Sequence, residues 1–115
     1  ASPYNTASTV YVTGSETTGT EYSAGGNTLT GNAVSNVANY ATVDFTDSVW
    51  GSPTPATFSA AYGAIYNSSA TNKLIVVLDF GGTKSCSNGT FTVTFPSPTS
   101  GSPSGADALL SIKSN

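Results

Sequence analysis

"FSAAYGAIYNSSATNKLIVVLDF" (residues 58–80) is the stretch on which the fold turns. Phe58, Ala60, Tyr62, Ala64 and Tyr66 recur at every second position, the period of a strand. Three aromatic rings on one face are a core signal. Asn67 to Asn72 is a hairpin-sized gap made of turn formers. Beyond it, Leu74-Ile75-Val76-Val77-Leu78 is an apolar run rich in β-branched residues. Such a run predicts a strand buried on both faces and central in its sheet.

The same period extends outward. Ala41 to Thr46 alternates, with Val43 and Phe45 on one face and Thr42, Asp44 and Thr46 on the other. Phe91 to Phe95 alternates before Pro96, and Val10-Tyr11-Val12 is a short β-prone run. Leu109, Leu110 and Ile112 read as a last strand. The punctuation is turn chemistry: Ala24-Gly25-Gly26-Asn27, Trp50 to Pro55, Gly81-Gly82, Asn88-Gly89 and the Pro96–Gly105 stretch. Tyr22 is expected to pack against a strand around Leu29. Ala33 to Ala38 could make one helical turn, but its Asn and β-branched residues argue against more. These signals predict a single all-β domain over 1–115, an antiparallel sandwich of about six to eight strands with little or no helix. Residues 1–18 are an extended N-terminal arm or an edge strand.

Composition narrows the function classes. Only 8 % of the 115 residues are charged, against roughly 25 % in an average domain. The three cations are all lysines, too few to build the cationic groove of a nucleic-acid binder or a polybasic membrane patch. The longest apolar run is five residues, too short to span a bilayer. A start at Ala1 rather than Met leads to an expectation of N-terminal processing. Cys86 is the single cysteine, with no internal disulfide partner and no histidine in the chain to activate it.

No catalytic constellation is legible. General acid–base work at neutral pH usually calls on histidine, which is absent. Asp44, Asp47 and Asp79 are the nearest to a carboxylate set, and capping of turn amides is the plainer role for each. A calcium loop or a transition-metal ligand set is not present in the pattern either. The expectation is no enzyme, no cofactor and no metal. Candidate partner-binding residues are the aromatic and β-branched Tyr4, Val10, Tyr11 and Val12 near the N-terminus, which could add a strand to a neighbour, and Trp50 as an interface or core anchor.

The order of segments carries a resemblance. "GTEYSAGGNTLTG" (19–31), "ATVDFTDSVW" (41–50), "FSAAYGAIYN" (58–67), "LIVVLDFGG" (74–82), "NGTFTVTF" (88–95) and "ALLSI" (108–112) together resemble small structural proteins of tailed bacteriophages. Several members of that group are capsid cement, or decoration, proteins that sit as trimers on the outer surface of the head. The resemblance implies a non-enzymatic virion protein whose partners are the major capsid protein and further copies of itself. The front of this chain departs from the pattern, with "ASPYNTASTVYV" where family members carry a helical stretch and a strand. The alternative is a tail- or fibre-associated β domain that binds a host glycan through Trp50, Asp47 and Asn39.

Overall fold

The computed structural model describes residues 2–37, 39–96 and 110–113. Seven strands run through them: β1 Ala33–Val37, β2 Tyr40–Asp44, β3 Ser48–Trp50, β4 Ala56–Asn67, β5 Lys73–Gly89, β6 Phe91–Val93 and β7 Leu110–Lys113. The only helical elements among the described residues are two three-residue 3-10 turns, Thr13–Ser15 and Ser68–Ala70. The all-β class is as the periodicity predicts. The strands form three small sheets, β1–β2–β7, β3–β6 and β4–β5. A sandwich would be a matter of how layers stack, beyond strand pairing itself.

The chain divides into two compact units. The first comprises Ala1–Gly26 and Trp50–Phe91, the second Asn27–Val49 and Thr92–Asn115. The division falls inside both β3 and β6.

The first unit is built on the β4–β5 hairpin, which closes at Asn67↔Lys73. Asn67 Oδ1 accepts from Ser69 N at 3.0 Å, and Thr71 and Asn72 take left-handed φ, so turn residues sit where the turn needs them. The sequence reading breaks the second strand at Gly81-Gly82. Instead β5 continues to Gly89 on the same partner: Tyr62 pairs with Asp79 and Ala60 with Lys84. Residues 80–83 loop out opposite Ala61, made possible by positive φ at Gly81 and Gly82. Asp79 Oδ1 accepts from Gly81 N at 2.8 Å, the amide-capping role expected of it.

The expected two-sided burial of Leu74–Leu78 is also corrected. Leu74 is half-buried, whereas Ile75 is 60 % exposed. The reason is pairing: this segment is an arm of a two-stranded hairpin flanked by a short N-terminal stretch, and its Ile75 side is open to solvent. Burial concentrates at the other end of the hairpin. Phe58 stacks obliquely on Phe91 at 4.8 Å and Tyr22 at 5.1 Å, with Trp50 edge-on at 6.0 Å. Tyr22 thus packs on Phe58 and Trp50, and residues 28–30, expected to be β-prone, lie outside any strand. Cys86 is buried, its Sγ 3.7 Å from the Phe58 carbonyl it faces.

The second unit holds the antiparallel β1–β2–β7 sheet, registered Val34↔Val43 and Ala41↔Ile112. Ala33–Val37 is therefore a strand rather than a helical turn. Asp44 and Asp47 both cap amides, of Phe45 at 2.8 Å and Phe95 at 2.9 Å. Leu109 and most of the Pro96–Gly105 stretch lie outside the described residues.

Candidate functional site

The N-terminal residues singled out by sequence come together at the edge of β5. Leu74 N donates to Thr9 O at 3.0 Å and Tyr11 N to Asn72 O at 2.9 Å, with Val10 bridged antiparallel to Lys73. The stretch around Val10 is thus an edge segment of its own unit. Its backbone groups at Thr9 and Tyr11 are taken internally, so of the two alternatives, extended arm or edge strand, the stretch around Val10 takes the edge position.

Strand alternation then sorts the side chains. Tyr11 turns inward and stacks on Tyr66 at 4.4 Å and 7°. Tyr4 Oη accepts from Val12 N at 3.2 Å, tying the chain start to the same edge. Val10, paired with Lys73, shares a face with Lys73 and Ile75, and all three are exposed. Of the five partner-binding candidates, Val10 alone is exposed. Tyr4, Tyr11, Val12 and Trp50 are half-buried. Trp50 belongs to the aromatic cluster, and its buried Nε1 finds no acceptor among the described residues. Asp47 and Asn39, the rest of the proposed glycan set, belong to the second unit.

Behind this edge sits a carboxylate clamp that no sequence motif announces. Glu16 Oε1 accepts from Tyr22 Oη at 2.8 Å and from Gly25 N, and Tyr66 Oη donates to Gly25 O at 2.9 Å. The Gly25-Gly26 turn is the tight turn expected, closed by Gly26 N to Ser23 O at 2.9 Å. Tyr11 Oη lies near the same carboxylate but outside hydrogen-bond geometry. Burial pushes the Glu16 carboxyl up, yet Tyr11, the Gly25 amide and Tyr22 outweigh it and hold it below its ordinary 4.5. Burial first, and then the Glu16 carboxylate, push Tyr11 and Tyr22 above their ordinary 10. An ionised carboxylate already engaged by donors is a structural clamp and a poor proton carrier.

The clamp fixes a pH profile. A depressed carboxyl stabilises the fold above its unfolded value and loses that contribution as pH falls through the folded value. A raised tyrosine stabilises below its unfolded value and loses it as pH climbs past about 10. Melting temperature should therefore be level from about pH 5 to 9 and fall on both sides. Glu16→Gln should lose about 1–2 kcal/mol at pH 7, because neutral hydrogen bonds replace charged ones, and should flatten the acid limb. Differential scanning calorimetry from pH 2.5 to 8 checks this; an acid limb unchanged in the variant would show that Glu16 is not its source.

In the second unit an open trough of about 320 Å³ is lined by Asn27, Thr28, Thr30, Thr46, Asp47 and Ser48 among others. Asn27 Nδ2 donates to Val49 O at 2.9 Å and lies 3.3 Å from Ser48 Oγ, fixing one wall. The lining is mainly hydroxyl and amide, with Leu29 and Val49 its apolar residues and Asp47 its one charged residue. No group of three or more metal-ligating side chains exists among the described residues, and no described helix is long and apolar enough to cross a membrane. Searches for a matching family model, a similar curated protein and a similar solved structure each found none.

Proposed function

We propose that this chain is a non-enzymatic structural protein of a tailed-phage virion, a capsid cement protein. It binds the outside of the major capsid lattice and stabilises the head, working as a homotrimer. The observation that carries the reading is the exposed Val10–Lys73–Ile75 face on the β5 edge. A β-branched pair left in water along the β5 edge is an apolar anchor for a partner surface. Lys73 between them suits a partner that offers a carboxylate or carbonyl there. The resemblance of residues 19–112 to phage structural proteins points the same way, and few charges favour binding through apolar contact.

The test is binding of the purified chain to phage heads that lack it, read by co-sedimentation and by cryo-EM of the decorated particle. The expected result is density in threes over the capsid lattice, with the β5 edge facing the coat. Ile75→Asp should weaken head binding at least about tenfold, because an anchor worth about 2 kcal/mol is replaced by a charge. No density on the head defeats the assignment.

A second reading rests on the trough of the second unit. Its mainly hydroxyl and amide lining, with Leu29 and Val49 beside Asp47, suits a saccharide, which would make the chain a tail- or fibre-associated module on a host glycan. Glycan-array binding that Asn27→Ala removes, together with no head binding, would favour this reading.

A further inference from the structure

The β1–β2–β7 sheet is inside out. In a sheet with one wet face the apolar alternation points inward. Here Thr42 is the buried position at 3 % exposure, its Oγ1 3.1 Å from Ser35 Oγ and 3.3 Å from Ser35 O. On the opposite face Val34 is 75 % exposed and Ile112 68 % exposed. Ala41 is exposed beside them and Val43 is half-buried. The register places these four on one face: Val34 pairs with Val43, and Ala41 pairs with Ile112. A slip of one residue would exchange the faces, but β2 is pinned by ladders on both sides. The apolar face is outward by construction.

We infer that this face is a contact surface for a second copy of the chain. Val34, Asn36, Ala41, Val43 and Ile112 include no charged residue. A charged partner surface would lose its water against this face and find nothing to pair with. A second copy brings the same uncharged, β-branched face, so two sheets stack face to face with apolar residues interleaved. The size sets the strength. Three strands about 4.8 Å apart, four to five residues long at about 3.3 Å each, make a patch of roughly 14 by 16 Å. That is well under the roughly 800 Å² per partner of a standard stable interface. The association is therefore weak and reversible on its own, and several copies held on one lattice would reinforce it.

This inference is a twofold contact between copies, separate from the threefold arrangement in the proposed function, and its test is independent of any capsid. Sedimentation equilibrium of the full chain from about 1 µM to 1 mM reads it directly. The expected result is a weight-average mass that climbs above 11.5 kDa as concentration rises. Val34→Asp with Ile112→Asp should hold it at the monomer throughout. Val34→Thr keeps the β-branched shape, guards against a misfolded double variant, and should weaken association at least about threefold, with the far-ultraviolet CD spectrum unchanged. A wild-type chain that stays monomeric to 1 mM overturns the inference. So does association that folded variants leave unaltered, since another surface would then be responsible. Self-association without head binding would defeat the cement assignment alone, and head binding by a strict monomer would defeat this inference alone.

Discussion

Phe58→Ala will remove about 3–5 kcal/mol of stability, roughly a fifth or more of what a domain of this size usually has. Phe58 is 6 % exposed, and three rings, those of Tyr22, Trp50 and Phe91, meet on it. Its loss takes away the transfer free energy of the ring and leaves a cavity walled by stiff aromatics on separate segments. Those walls cannot collapse inward together, so the cavity term stays large. Phe91 also sits edge-on to Phe80 at 6.1 Å, so loosening spreads to the strand that carries the Gly81-Gly82 loop. Thermal and urea melts of Phe58→Ala and Phe58→Leu check the claim. Leucine should recover more than half of the loss; equal losses in both would mean that ring volume is not what holds the cluster.

Gly51→Ala should be nearly as damaging, at about 3 kcal/mol or more, although it adds a single methyl. Gly51 takes φ +92°, and a Cβ there would run into the Gly89 carbonyl and into the backbone nitrogen and Cβ of Ala56. Left-handed backbone alone costs a non-glycine residue about 1–3 kcal/mol. The collisions add to that because both obstacles belong to the paired ladder position Ala56↔Gly89. Relief requires parting β4 from β5 at the open end of the hairpin, away from its turn. Gly14→Ala is the control: a Cβ there meets nothing within 4 Å, and stability should change by less than about 0.5 kcal/mol. Denaturant melts of the pair decide it, and similar midpoints would refute the argument.

Periodicity in the sequence tells what alternates and leaves open which side is inside. At Phe58 the two agree, because an aromatic ring has one economical place to go. At Thr42 they diverge: the buried face is polar, and its Ser35–Thr42 hydroxyl contact is made only once β1 and β2 are paired. Ile75 misleads for a related reason, since an apolar run reads alike in a central strand and in a hairpin arm with one open face. Gly81-Gly82 was legible as a break in regular geometry, but only the register shows that the chain returns to the same partner. The Glu16 clamp unites residues 11, 16, 22, 25 and 66, a spacing without local pattern. Of the candidate edge, Val10 stands out in the sequence as β-prone, while Ile75 is hidden within an apolar run that reads as core.

The division of the chain gives the β4–β5 hairpin a second task, in chain entropy. The second unit is made of two segments separated by the 42 residues from Trp50 to Phe91. Closing an unstructured loop of that length is opposed by about 3.3 kcal/mol. With Ala56 paired to Gly89, only about eight residues remain loose between the segments, and the opposition falls to about 1.8 kcal/mol. The hairpin therefore lends the other unit about 1.5 kcal/mol through chain connectivity alone. Each unit inherits part of the cost of damage to the hairpin, which makes two spatial units answer to one closure.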